Sequence, residues 1–257
     1  MQLINPGVKR FYWFILILLL LASLVYSQPL RIAAAANTRY VIQELQADFK
    51  RKTGIETVVV VSSSGKLTAQ IKNGAPFDIF LSADTQFPDA LYKDGFSNVK
   101  PRVYALGSLI ICSSSTIDLK SWKTLAATRT IGKIAIANPV LAPYGRAAEE
   151  TLQKLGLWEK VKSKIVFGES IAQVNAYISA GAVSLGFTTE AFLYENHGIQ
   201  KLKWMRVEDK MYGKIEQSMI LLSNAAKGNQ QHALKFFNYL QSPAAKAILK
   251  KSGYKVP

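Results

Sequence analysis

The sequence is poor in the residues that staple or metallate small domains. It has one Cys and two His in 257 residues. One Cys cannot close an internal disulfide, and Cys with two His falls short of the four ligands of a structural zinc site. Acidic residues are also few, 17 against 32 Lys and Arg, for a formal net charge of +15. Charged residues make up only 19% while hydrophobic ones make up 49%, so the chain has enough apolar material to fold and is not intrinsically disordered. No internal repeat is present, and the only low-complexity tract is Ala33–Ala36. The basic excess points to nucleic acid, an anionic membrane surface or an anionic ligand as the partners to weigh.

Long apolar runs are lacking except at the N-terminus. Lys9 and Arg10 precede FYWFILILLLLASLVYS, residues 11–27, which carries no charge. Basic residues, an apolar run and small residues at its end predict a secretory signal peptide over 1–27, with Gln28 as the mature start. The alternative is a retained membrane anchor, because the run reaches the short end of spanning length. No Cys ends the run, which excludes a lipid anchor there. Export places the mature chain in the periplasm, and losing Lys9 and Arg10 lowers the charge from +15 to +13. An exported protein does not ordinarily meet nucleic acid. The basic residues cluster only weakly, as Lys50-Arg51-Lys52 and Lys250-Lys251, which read as solvated helix ends.

Short apolar runs alternate with amphipathic stretches through the rest of the chain. Strands are predicted at 30–36, 55–61, 78–82, 133–137, 164–168, 183–188 and 218–223, and one long strand region at 104–114. Helices are predicted at 38–53, 66–73, 86–94, 144–155, 170–180, 229–241 and 243–252. This alternation implies an α/β fold with parallel-rich sheets and helices on both faces.

Four strand-to-helix junctions carry the chemistry: Ala36-Asn37-Thr38, Ser62-Ser63-Ser64-Gly65, Ala142-Pro143-Tyr144-Gly145 and Glu169-Ser170-Ile171. A helix start presents unpaired N–H groups and a positive dipole end. Ligands in open α/β sheets sit at the carboxyl ends of strands. Any one junction is also an ordinary cap; together they describe a site for a small oxyanion. Two rival motifs fail. SSSGKL lacks the first Gly and the Ser or Thr of a phosphate-binding loop, with Val60 and Leu67 in their places. Gly168-Glu169-Ser170-Ile171-Ala172 resembles a hydrolase nucleophile elbow but ends in Ala; a secreted serine hydrolase using Ser170 would need partners such as Asp209 and His232. Ser170 reads more simply as a helix cap, His197 as a loop residue and Cys112 as buried apolar filler. Trp122, Trp158 and Trp204 are scattered and form no stacking platform.

The stretch SSSGKLTAQIKNGAPFDIFLSAD, residues 62–84, is very similar to the signature of periplasmic molybdate-binding proteins, the substrate-binding subunits of ABC importers. AAAAN (33–37), IANPVLAPYGRAAEETLQKLGL (136–157), SLGF (184–187) and SPAAKAILKKSGY (242–254) follow in order, so the resemblance covers 28–257. It implies a bilobal periplasmic-binding-protein fold of type II, with two α/β lobes closing on a central cleft. One lobe is expected from 28–105 plus 220–257, the other from 106–219. It also implies a set of oxyanion contacts: Asn37, Ser64, Tyr144 and Ile171, with Ser63 and Thr189 as further candidates. Ile171 and Tyr144 would act through backbone N–H, and Asn37 through its amide. These touch the oxygens of molybdate or tungstate and do not ligate the metal directly. The expected protein is a monomer with no cofactor and no enzymatic activity, partnered by a membrane permease. A receptor for another oxyanion, such as sulfate, is the nearest alternative. The contacts are neutral donors with no carboxylate among them, which suits unprotonated dianions and disfavours hydrogen phosphate.

Overall fold

A computed structural model describes residues 28–195, 202–223 and 229–257. The expected signal peptide, 1–27, and His197 lie outside the described residues. Among those described, no helix is long and apolar enough to cross a membrane.

The first lobe opens with β1 (Leu30–Ala35), a 3-10 turn over Ala36–Thr38, and α1 (Val41–Thr53). It continues through β2 (Thr57–Ser62), α2 (Ser64–Lys72), β3 (Ile79–Leu81), α3 (Gln86–Lys93) and β4 (Arg102–Gly107). β1 is buried on both faces: Leu30, Ile32 and Ala34 pack with Leu45 and Phe49 of α1, while Ala33 packs with Leu67 and Ile71 of α2. This two-sided burial explains its near-continuous apolar text. α1 ends where Gly54 takes a left-handed conformation, φ 71°. The basic residues at its end are exposed and paired, Lys52 with Asp48 at 2.7 Å and Lys50 with Glu56 at 2.6 Å.

The second lobe contains β5 (Leu109–Ser113), β6 (Ile134–Ala137), α4 (Pro143–Lys154), β7 (Ile165–Gly168), α5 (Ile171–Ser179), β8 (Leu185–Thr189) and β9 (Lys203–Arg206). The chain then returns to the first lobe through β10 (Ile215–Leu221), α6 (Gln230–Tyr239) and α7 (Pro243–Lys251). The sheet orders are β2-β1-β3-β10-β4 and β7-β6-β8-β5-β9. In each, the two strands flanking the leading strand, β1 or β6, run parallel to it, and the remaining pairings are antiparallel.

The apolar text at 104–114 is therefore two strands in two sheets, β4 and β5, with only Ser108 between them. Apolar periodicity reports burial but not which sheet does the burying. The return strand β10 begins at Ile215, inside the stretch 106–219 that the sequence assigns to the second lobe, and pairs with β3 and β4 of the first. The last residues fasten the crossing from behind: Leu106 and Lys255 exchange backbone hydrogen bonds of 2.7 and 3.0 Å.

Candidate binding site between the lobes

The four junctions named from the sequence meet at one cavity between the lobes, lined by Asn37, Ser63 and Ser64 from the first and by Tyr144 and Ile171 from the second. Small residues, among them Ala36, Ala83 and Ala142, complete its wall. No charged side chain lines it. Its volume is about 10 Å³, on the order of a single water.

Each junction is aimed by its own sequence. Ser63 caps α2, accepting from Lys66 N–H at 3.4 Å. Ser64 follows as the first helical residue and is 1% exposed. Its Oγ accepts from Ala83 N–H at 3.1 Å, which leaves the hydroxyl proton free to donate. Pro143, which has no N–H, opens α4, and the N–H of Tyr144 in the same first turn has no intrahelical partner. α4 starts this close to the end of β6 because position 145 is Gly: a Cβ there would lie 2.0 Å from Ala137 O. Ile171 is the first residue of α5, so its N–H also points out of a helix start.

The Tyr144 side chain runs away from these N–H groups into the crossing between the lobes. Its hydroxyl lies where a Cβ on Gly107 would stand, at 2.0 Å. It accepts from Gln217 Nε2 at 3.2 Å and bonds Thr189 Oγ1 at 3.1 Å. Burial drives its phenol well above the ordinary tyrosine range, so it stays protonated at neutral pH. Thr189 sits behind Tyr144 and is not part of the cavity wall. Asn37, 2% exposed, has its amide nitrogen turned to Gln217 Oε1 at 2.9 Å and Tyr254 Oη at 3.4 Å, instead of standing free to donate. Its backbone carbonyl accepts from Tyr254 at 2.7 Å.

Three polar links join the lobes at the mouth. Gly65 N–H donates to Leu141 O at 2.9 Å. Arg146 of α4 pairs with Asp84 at 3.3 Å, and Lys66 pairs with Glu169. Burial raises the Asp84 pKa, against the lowering effect of its hydrogen bond from Phe87 N–H and of Arg146.

The residues of the hydrolase alternative are dispersed over the fold. Ser170 stands at the N-cap of α5 in the second lobe, as expected, and caps through its carbonyl with no side-chain capping bond. His232 lies on α6 in the first lobe. Asp209 bonds Tyr212 Oη at 3.2 Å and Lys255 Nζ at 3.4 Å. Cys112 is buried in the second core, as expected of a filler. Gln217, Tyr104 and the Asp84–Arg146 pair escaped the sequence reading, because their partners lie 62 or more residues away. Only Asp84 carried a signal, as the end of the Ser-Ala-Asp text.

Two lobes joined by two crossings, with helix starts facing one small cleft, define a solute-binding protein. The profile of the bacterial extracellular solute-binding proteins matches residues 30–255, and the chain belongs to that family. Among its relatives is the molybdate-binding protein ModA of Azotobacter vinelandii, 32% identical over 236 residues, 91% of this chain and 93% of that protein. The molybdate-binding protein ModA of Rhodobacter capsulatus is 33% identical over 223 residues, 86% of each chain. The solved structure of the Azotobacter vinelandii periplasmic molybdate-binding protein superposes with a TM-score of 0.81 at 31% identity, over 89% of this chain and 99% of that one.

Proposed function

We propose that this protein is the periplasmic receptor for molybdate and tungstate, delivering the oxyanion to the permease of an ABC importer and performing no covalent chemistry. The observation that carries the reading is the convergence of neutral donors from both lobes on a small cavity without a carboxylate. Ser64 supplies a hydroxyl, and the first turns of α2, α4 and α5 supply N–H groups and their dipole ends. Such a site favours an ion that accepts everywhere. Molybdate, tungstate and sulfate meet that demand at neutral pH, whereas hydrogen phosphate would set its proton against donors. Between molybdate and sulfate, the relatives named above favour the larger ion. One ion touching both lobes stabilises the closed arrangement in proportion to its preference for it. The monomer acts alone, and the N-terminal leader directs it to the periplasm.

Isothermal titration of the mature chain tests the assignment. We expect one-to-one binding of molybdate and tungstate, with no displacement by equimolar sulfate or phosphate. Absence of heat with both metal oxyanions at micromolar protein would sink the reading, and displacement by equimolar sulfate would transfer it to that ion.

A further inference from the structure

The network behind the cavity has two misfits, one at Asn37 and one at Tyr144. Asn37 Oδ1 is buried with no hydrogen-bond partner, in a residue that lines a cavity otherwise made of donors. Its neighbour Gln217, on β10 and fully buried, bridges the lobes: Oε1 accepts from Asn37 Nδ2 at 2.9 Å and from Tyr104 Oη at 3.0 Å, while Nε2 donates to Tyr144 Oη at 3.2 Å. Tyr144 Oη thus receives from Gln217 and is also bonded to Thr189 Oγ1, itself the acceptor for Ala191 N–H at 3.3 Å. The donors crowd at Tyr144 while an acceptor is orphaned at Asn37.

Half a turn of both amides relieves both misfits without moving a heavy-atom position, since amide O and NH₂ occupy nearly the same space; it gives up only the long Asn37 Nδ2 to Tyr254 Oη bond of 3.4 Å, because the Tyr254 proton already goes to Asn37 O. Gln217 Nε2 then donates to Asn37 Oδ1 and to Tyr104, whose hydroxyl donates on to Ser82 O, 3.5 Å away. Gln217 Oε1 accepts the Tyr144 proton. The chain of donation runs one way, from Thr189 through Tyr144 and Gln217 to Asn37. The Asn37 NH₂ takes the place of the orphaned oxygen and becomes a donor for an oxyanion.

We propose that Gln217 is a positioning residue of the oxyanion site: by donating to Asn37 Oδ1 and accepting from Tyr144, it holds the Asn37 amide nitrogen as a donor to the ligand and ties that orientation to the crossing between the lobes. This rests on the oxyanion-receptor reading above and adds a residue that touches no ligand. It also makes the polarity of the site depend on a side chain of the return strand.

The test is a double-mutant cycle read by tungstate titration, with Gln217→Met and Asn37→Ser. Gln217→Met keeps length and removes both amide functions. We expect it to weaken tungstate binding roughly tenfold, the scale of one hydrogen bond. In the Asn37→Ser background, where a hydroxyl orients itself, the same change should cost less than about twofold, the rest being its coupling to Asn37. Wild-type affinity in Gln217→Met, or an equal loss in both backgrounds, would overturn the proposal. Should Gln217→Met fail to fold, the side-chain NH₂ resonances of the ¹⁵N-labelled native protein decide. The pair lost in Asn37→Ser must shift on tungstate addition, and an unmoved pair overturns the role. A native protein that binds neither tungstate nor molybdate would instead refute the receptor reading itself.

Discussion

Ser64 shows how one residue of the proposed site keeps a free donor. Its oxygen is taken by Ala83 N–H, so the proton has no competing role within that bond. Ser64→Ala removes a donor to a charged ligand and strands the Ala83 N–H. We expect about 10- to 100-fold weaker tungstate binding and a stability loss of about 1–3 kcal/mol, from titration and urea unfolding respectively. Unchanged affinity would remove the hydroxyl from the contact set. Cys112 is the opposite case, a reactive group made inert. Burial pushes its thiol up to about 12, against the lowering effect of a backbone hydrogen bond from Ser113. A disulfide reagent should leave the native protein unmodified at pH 8 and label one thiol per chain in urea; native labelling would contradict the burial. Both residues were legible from sequence in kind. Ser63-Ser64 stood at a strand-to-helix junction and Cys112 inside an apolar run. The direction of the Asn37 amide was not legible, because Gln217 lies 180 residues away and nothing in the local text couples them.

Helix starts are the elements that line the proposed site, and the sequence placed them well. α4 was expected over 144–155 and runs Pro143–Lys154; α5 was expected over 170–180 and runs Ile171–Ser179. Pro and Gly near a helix end are local signals with local causes. The helix expected over 38–53 is instead a 3-10 turn over Ala36–Thr38 and a separate α1 from Val41, and Asn37 lies in that turn against the cavity. A second consequence of α4 is the Arg146–Asp84 pair across the cleft. A partly buried pair of this kind is worth on the order of 1 kcal/mol. Arg146→Met should therefore speed tungstate release by about fivefold in stopped-flow tryptophan fluorescence. Urea unfolding should hardly change, since each lobe has its own core. Release should also depend on acidity. The folded-state pKa of Asp84 is raised, so its protonation and the loss of the pair begin above the ordinary aspartate range as pH falls. Faster release on acidification should disappear in Asp84→Asn; a persisting pH dependence would assign it elsewhere.

At the scale of the molecule, each lobe packs mostly on itself. One core lies mainly in the second lobe but takes in Ala35, Ala36 and Ala83 of the first, and two more lie on the two faces of the first sheet. What joins the lobes at the cleft mouth is mostly polar and sparse, so the cost of parting them is small beside that of unfolding either. Binding should then report as closure. Small-angle scattering should show a smaller radius of gyration with tungstate than without. The melting temperature should rise with the logarithm of free tungstate above its dissociation constant. A melting shift with unchanged scattering would mean that the ion enters an already closed pair of lobes. The net charge belongs to this scale too. It includes exposed helix-end groups such as Lys250 and Lys251, so it can steer an anion at long range without entering the cavity.

The sequence by itself determined the α/β class, the approximate helix starts and the neutral, carboxylate-free chemistry of the expected contact residues. Those follow from periodicity, capping and turn signals within a few residues of each position. Only the tertiary structure decided that residues 104–107 and 109–113 enter different sheets and that Tyr144 spends its hydroxyl in the crossing. It also decided that Asn37 is governed by Gln217 and that Asp84 meets Arg146. The physical reason is separation. Each of these outcomes depends on which distant element supplies the buried partner of a polar group, and that is fixed by how the two lobes pack and not by the neighbours in the chain.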